Sequence, residues 1–400
     1  MPILAHKIRL CTDTDEQAEE YFERACGVAR HSFNWGLAKW DELYAAGERP
    51  TWQRIDREYN AIKEEEFPWA YEVTKCAAQG AIQDLGTAFK NMFAGRAGRP
   101  KFKKKNKTKP SFYISNSDFQ VDVNFIRIPH LGWVRMIDRI RFPGKIMGVT
   151  ISKEADGGWY ASFQVCIDET KWAYPHRCES QASVGVDLGL LSIITLSDGT
   201  KLSYPVVLER LYKQVRVWQR AMSRREYESK NWEKARKKVA MLWLEIRRIR
   251  DDWAHRLTTW LVKNFRVIGL ETLNILGMMK NCRLARKIGE ACWGEICRQL
   301  VYKTELAGGT LVRMDRWYPS TKTCSTCGHK LDELPLSVRC WTCPACGVEH
   351  DRDVNAALNM KHVAEQVAWE PRETQNARGG ERETNACEGY GSPVEAGNPL

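Results

Sequence analysis

Four cysteines near the C-terminal end constrain this chain more than any other feature. Cys324 and Cys327 are two residues apart, Cys343 and Cys346 likewise, and fifteen residues lie between the pairs. Thiols at this spacing converge on one tetrahedral zinc ion. Gly328 and Gly347 directly follow the pairs, which suits two tight knuckles whose backbone amides turn toward sulfur. Four thiolates leave no open coordination position, so one Zn²⁺ is expected here in a structural role. Cys340, His329 and His350 are near in sequence but break the symmetry of the knuckles, and they are left outside the cage. A redox disulfide pair is the competing reading, and two matched knuckles speak against it. The chain has 14 cysteines, and the others are scattered without pattern, as in a reducing compartment with a single metal site.

The remaining bulk properties point to a soluble chain with a polyanionic partner. Its 400 residues exceed one compact core, so two to four domains are expected. The net charge is +11, and a polyanion is the simplest partner for that excess. No apolar run of about 18 residues occurs, so no membrane span is expected. The start, MPILAHKIRL, lacks a signal-peptide core and cleavage site, and a cytoplasmic location is expected.

Ile3 to Leu10 reads as a strand. Apolar residues at helical spacing (Ala18, Phe22, Ala25, Ala29, Phe33) predict a helix from Glu16 to Tyr44. Two more helices are expected near Trp52–Ile62 and Tyr71–Phe93. A basic tract follows, with Arg99, Lys101, Lys103, Lys104 and Lys105 among its charges and Phe102, Phe112 and Tyr113 interleaved. Cations neutralise phosphates and rings stack on unpaired bases, which favours nucleic acid over a merely solvated loop. From Phe119 to Ile167 the sequence alternates between turns, predicting a meander of short strands that closes as a small barrel with Ile3–Leu10 as its first strand. Lys171–Gln181 reads as a linker.

A second region opens at SVGVDLG. Val184, Val186 and Leu188 share one face of a strand, and Asp187 points to the other. Strand interiors disfavour Asp, so a functional role is expected for it rather than a turn or cap. Val206–Asn264 is a long helical stretch in which Arg216, Arg220 and Arg224 fall on one side, a face suited to tracking phosphates. Its tryptophans are expected in cores. Glu271 ends a buried strand, at the sheet edge where sites collect. Met278–Lys287 reads as a basic loop, followed by a helix from Ile288 to Leu306 and a strand at Leu311–Met314. After the cage, Asp353 opens the closing helix Val354–Val367.

Three carboxylates at strand positions and a helix start suit magnesium, a hard ion that keeps several waters. Two such ions, about 4 Å apart, can activate a water and stabilise the leaving oxygen of a phosphodiester. Asp353 lies where the helix dipole favours the ionised form. Asp351 is its rival, and Asn355 is expected to brace Asp353.

Taken together, GVDLG, the IGLE ending in Glu271, TCSTCG with CPACG, and HDRDVNAALNM resemble the TnpB family of transposon-encoded RNA-guided DNA endonucleases, relatives of the type V CRISPR effectors. HLGWVR and SFYISN add weaker likeness in the N-terminal half. The resemblance implies a mixed architecture of α/β, all-β and all-α parts. An N-terminal wedge β-barrel (1–10 and 111–180) would carry an inserted helical recognition domain (11–110). A RuvC-like nuclease domain of RNase H fold (183–319 and 350–367) would carry an inserted zinc ribbon (320–349), and a disordered tail would span 368–400. Asp187, Glu271 and Asp353 would be the catalytic triad holding two Mg²⁺ ions. The partners implied are a guide RNA, with one chain per guide, and a double-stranded DNA target beside a short motif, in a nucleoid-associated cytoplasmic protein. Lys75 and Gln79, one helical turn apart, are nominated to read that motif, because Gln can bind adenine bidentately. Two other classes stay open: a guide-dependent DNA-binding regulator that does not cut, and a zinc-ribbon nucleic-acid-binding protein with no guide.

Overall fold

A computed structural model describes residues 3–12, 15–105, 107–168 and 172–369. The expected tail from 370 onward lies outside the described residues. The chain divides into two compact units, one up to Ala173 and one from Tyr174.

In the first unit β1 (Ile3–Arg9) is followed by α1 (Glu16–Ala45), α2 (Trp52–Glu66) and α3 (Cys76–Phe93). The Asp15 carboxylate accepts the Ala18 amide at 2.9 Å and caps α1, and Thr51 caps α2 the same way. The third helix starts later than its pattern suggests, because Pro68–Tyr71 forms a separate 3₁₀ turn. Then come β2 (Ser111–Ser115), β3 (Gln120–Asp122), β4 (Phe125–Ile128), β5 (Gly132–Arg135), β6 (Gly144–Lys153) and β7 (Trp159–Ile167). Strand β7 buries every second residue (Trp159, Ala161, Phe163, Val165 and Ile167), the period-2 pattern of a sheet with one face in the core. The first strand pairs with β7, as Ile3↔Cys166 through Arg9↔Tyr160.

The expected barrel is corrected here. Among the described residues the strands make an open antiparallel sheet of order β1-β7-β6-β2 and a separate sheet β3-β4-β5. Only a Leu10–Met136 bridge lies outside the named strands of this unit. Strands β3 to β5 are three or four residues long, too short to extend the ladder of the nine- and ten-residue β7 and β6. Left-handed residues at Val123 and His130 turn the chain back on itself at their ends.

The second unit begins with β8 (Ser183–Asp187), β9 (Ile194–Leu196) and β10 (Lys201–Leu202). The long helical stretch is two helices, α4 (Val207–Ser223) and α5 (Lys230–Asn264). They are separated where Glu228 takes a left-handed conformation and Ser229 caps α5. Strand β11 (Val267–Leu270) follows. The expected basic loop, Met278–Lys287, starts on the last residue of a short helix, α6 (Ile275–Met278), and ends inside another, α7 (Ala285–Glu290), so the helix expected from Ile288 is divided at Ala291–Cys292. The chain continues through α8 (Trp293–Ala307), β12 (Thr310–Arg313), β13 (Cys340–Thr342), β14 (Glu349–Asp351) and α9 (Arg352–Trp369). The main sheet has order β10-β9-β8-β11-β12. Its first three strands are antiparallel, and β8, β11 and β12 are parallel.

This sheet is covered on both faces. Val184, Val186, Ile268 and Leu270 face a core shared with Ala254, Leu257 and Leu261 of α5 and Trp293, Ile296 and Leu300 of α8. The opposite face takes α9, through Val267, Val312, Ala356, Met360 and Ala364. Where α9 crosses β8 and β11, no side chain separates helix from sheet. A Cβ built on Gly185 would lie 1.7 Å from the Ala357 carbonyl oxygen, and one on Gly269 would lie 2.4 Å from that of Met360.

Gly185→Ala is therefore expected to push α9 off the sheet and destabilise the second unit by about 1–3 kcal/mol or more. Gly27→Ala, at an open helical position with nothing within 4 Å of the new Cβ, is expected to stabilise the first unit by about 0.5–1 kcal/mol. Denaturation midpoints of the two variants check the pair. A Gly185→Ala protein as stable as the parent would refute the bare contact.

Candidate active site

The site follows from the contact of α9 with the sheet. Side chains alternate along a strand, so Asp187 shares the α9 face with Gly185. Ala357, over Gly185, lies one helical turn beyond Asp353. Leu270 pairs with Val186, so one step further in the same parallel register Glu271 comes level with Asp187. The Leu188 amide donates to Glu271 Oε1 at 3.1 Å and ties the two strand ends together. The three carboxylates named from the sequence thus come from β8, the end of β11 and the first turn of α9, and all three interact within one unit.

Their electrostatics are those of crowded anions. Asp187 is 9% exposed. Burial pushes its carboxyl well above the usual carboxylate range, and the charges of Glu271 and Asp353 push it further, against Arg352 and Arg339. Glu271 is also raised by burial, with the Leu188 amide opposing. Asp353 meets Arg339 at 3.4 Å. Hard oxygen donors that interact around the buried Asp187, with the ionised forms of Asp187 and Glu271 disfavoured, fit a divalent cation. Arg352 and Arg339 offset part of the repulsion on Asp187, and the Leu188 amide part of the rise at Glu271.

Asp351, the rival, has a different task. Its Oδ1 accepts the amides of Asp353 and Val354, both at 3.1 Å, so it caps α9. Its Oδ2 accepts from Lys201 at 2.8 Å. The expected brace from Asn355 to Asp353 is corrected. Asn355 faces away, accepting the Ser325 amide at 2.9 Å and donating to the Thr323 carbonyl at 2.8 Å. Asn359 donates to the same carbonyl at 2.7 Å and to that of Ser320 at 2.8 Å. One turn apart on α9, the two amides clamp the strand that enters the cysteine cage.

In the cage the sulfurs of Cys324, Cys327, Cys343 and Cys346 all lie within 4.8 Å of one another. Two equivalent knuckles build it. The Gly328 amide donates to the Cys324 carbonyl, and the Gly347 amide to the Cys343 carbonyl, each at 2.9 Å. Both glycines are left-handed, with φ of 77° and 75°. Burial would raise the Cys324 thiol, yet the amides of Cys327 and Thr326 and the His350 ring bring it down to about 5, toward the thiolate a metal needs. His350 Nε2 is 3.0 Å from Cys324 Sγ, and its ring packs against Trp341. His350 is thus a supporting partner outside the four thiols, as second-layer groups at metal sites are. Cys340 and His329 stay outside the set.

The nominated nucleic-acid residues are unequal. Lys75 and Gln79 are exposed on α3, with Lys75 3.5 Å from Asp118. Lys101, Lys104 and Lys105 are exposed, and Arg99 pairs with Asp41 at 2.8 Å. Lys103 is half-buried. Its backbone is held on both sides by the Asn34 amide, and its ammonium lies over the Phe33 ring at 4.0 Å. Of the interleaved rings, Phe102 is 54% exposed while Phe112 is in the core. Arg216, Arg220 and Arg224 are exposed along α4. Sequence reading missed Arg339, Arg352, Lys201 and Asn359, and it weighed His350 only as a residue beside the cage. Only His350 and Arg352 carried a signal, as charged or polar residues flanking the aspartates.

Three family models match the chain. Residues 293–360 match one described as Cas12f1-like, TNB domain, and residues 162–282 one described as probable transposase, OrfB of IS605. Residues 1–49 match one described as a helix-turn-helix domain, although the structure there has one strand and one long helix. The chain is 36% identical over 355 residues to a Streptomyces pristinaespiralis protein named "Putative RNA-guided DNA endonuclease", covering 87% of this chain and 86% of that one. It is 30% identical over 361 residues to "Putative RNA-guided DNA endonuclease InsQ" of Escherichia coli strain K12, covering 86% and 88%. A Cas12f1 chain solved by cryo-EM with sgRNA and target DNA shares the fold at a TM-score of 0.53 and 14% identity, over 86% of this chain and 83% of that one. Identity of this order along most of both sequences, with the transposase model spanning β8 to β11, is a family relationship: the chain belongs to the TnpB family of transposon-encoded RNA-guided DNA endonucleases.

Proposed function

We propose that this chain is an RNA-guided DNA endonuclease whose single RuvC-like site cuts DNA with Asp187, Glu271 and Asp353. One observation carries the reading: carboxylates from two distant segments act electrostatically on the buried Asp187 on the α9 face of the sheet, at a cost a purely structural site would not maintain. These three residues would hold Mg²⁺. When bound, the ion supplies charge stabilisation at the attacking and leaving oxygens of a phosphodiester. Asp187 and Glu271 are fixed by strand register and the Leu188 amide, so the site is oriented before substrate arrives. Arg339, 3.4 Å from Asp353 and half exposed, would offset phosphate charge at the rim. The four thiols would hold one structural Zn²⁺, fixing the segment that Asn355 and Asn359 grip.

The guide RNA and its DNA partner follow from the family and from the exposed arginines of α4 and the outer lysines of the basic tract. In such a division of labour base pairing reads most of the sequence, and the protein reads a short adjacent motif. Lys75 and Gln79 of α3 are the proposed readers of that motif.

Four outcomes are expected. In guide-loaded protein with magnesium, Asp187→Ala should lower cleavage by at least about a hundredfold while target binding persists. Asp187→Asn, measured without added metal at a pH above the raised range of the Asp187 carboxyl, should raise the thermal midpoint by a few degrees, on the order of 1 kcal/mol for a unit of this size, because it removes a charge that burial and two neighbouring carboxylates disfavour. A less stable Asn variant would mean that the carboxylate is structural. Replacing Cys324 by Ser should release zinc, seen by metal analysis, and with it lower the melting point and the cleavage rate together. A zinc-free variant with parental stability and rate would contradict the structural role. Replacing Gln79 by Ala should broaden the preferred target-adjacent motif in a randomised-library cleavage assay. An unchanged motif would remove Gln79 from the readers.

A further inference from the structure

The segment between β12 and the cage carries a feature the carboxylates do not use. Asp315 Oδ1 accepts the Trp317 amide at 2.7 Å, and the Asp315 carbonyl accepts the Tyr318 amide at 3.1 Å. The turn is thus fixed by its own backbone and does not need the Trp317 ring for packing. That ring is 80% exposed, more than any other described tryptophan. Single exposed apolar residues are common. What sets this one apart is Arg316, whose guanidinium lies 5.0 Å from the ring centroid. Arg316 also lines a cavity of about 180 Å³ together with Glu271, Asn274, Met278, Met314 and Tyr318. Its frame is tied by the Thr272 hydroxyl, which donates to the Met314 carbonyl at 2.7 Å across the ends of β11 and β12. The space is smaller than the roughly 300–1,000 Å³ of sites for larger ligands.

We infer that Trp317 and Arg316 form a subsite for one unpaired nucleotide of the DNA strand being cut, with its base stacked on the open face of the indole and its phosphate held by Arg316 beside Glu271. The inference rests on the nuclease reading above. An indole face accepts any base, so the subsite would be indifferent to sequence. The nucleotide must be unpaired, because a base inside a duplex already has neighbours on both faces. The strand is assigned by position: Arg316 and Glu271 line one cavity, so a phosphate on Arg316 belongs to the strand presented to the carboxylates. Arg316, already over the ring, supplies the cation that follows the backbone from base to phosphate.

The test uses guide-loaded protein and a DNA target carrying 2-aminopurine at successive positions of its unpaired strand, in buffer without added magnesium. Parental protein should quench the probe at one or two adjacent positions. Trp317→Ala should abolish that quenching, and Trp317→Phe should keep part of it, with zinc content unchanged in both. With magnesium present, Trp317→Ala should cut about tenfold more slowly, and Trp317→Phe should recover most of the rate. A Trp317→Ala protein with the parental quenching profile would overturn the subsite. Quenching that appears only when the probe is in the guide RNA would overturn it equally. A parental chain that cuts no DNA would count against the nuclease reading alone, since the stacking signal is read without magnesium and still decides the subsite.

Discussion

The arrangement of the second unit depends on α9 lying bare against β8 and β11. At Gly185 and Gly269 the helix backbone approaches the sheet so closely that even a methyl group has no room. Backbone contact of this kind fixes both distance and rotation, whereas a contact through long side chains leaves either free to relax. Asp187 follows Gly185 by one strand repeat, Glu271 follows Gly269 by the same interval, and Asp353 precedes Ala357 by one turn. Each carboxylate is thus indexed to a close contact on its own segment. Glycine's poor strand propensity is the local cost, and the gain is a site whose geometry does not rely on flexible side chains.

The cysteine cage bears on the same geometry at the N-terminal end of α9. Asn355 and Asn359 hold the carbonyls of Ser320 and Thr323 while Ser325 donates back, so the entry to the cage and the first turns of the helix form one hydrogen-bonded body. The exit does the same work through β14, whose last residue, Asp351, caps the helix. Arg339 and Arg352 flank this region and oppose the rise in the Asp187 carboxyl. A metal held by the four thiols would therefore act on the carboxylates at a distance, by keeping two arginines and a helix start in register with the sheet.

What the sequence made legible tracks how local each signal is. The thiol spacing and the apolar run around Asp187 are short-range patterns, and both carry to the structure: the sulfurs cluster, and Asp187 lies opposite Val184 and Val186. The bare contact of α9 was not legible, because a glycine in a strand has several possible reasons and its partner lies far along the chain. Asn355 was misread for the same cause: its spacing places it beside Asp353, yet its hydrogen bonds run to a segment thirty residues earlier (|i−j| of 30 and 32). The barrel failed on length, since alternation predicts strands but not whether strands of three residues can join a ladder of ten. Helix boundaries moved where a single residue, such as Glu228 in its left-handed conformation, interrupts an otherwise continuous pattern.

The net charge of +11 invites a polyanion, but not every cation contributes to meeting one. Lys303 is buried, and its ammonium donates to the His255 carbonyl and the hydroxyls of Thr258 and Thr259 at 2.8–2.9 Å. Burial lowers its pKa to about 8. Lys63 is buried over the Tyr71 ring, and Lys103 is spent on Phe33. Lys303 and Lys63 hold helices together, and no phosphate can reach either without unpacking a core. Counterion release requires charge at the surface, and the arginines along α4 and the outer lysines of the tract are exposed where these lysines are not. Composition gives the sign of the partner's charge, and burial decides which residues can meet it.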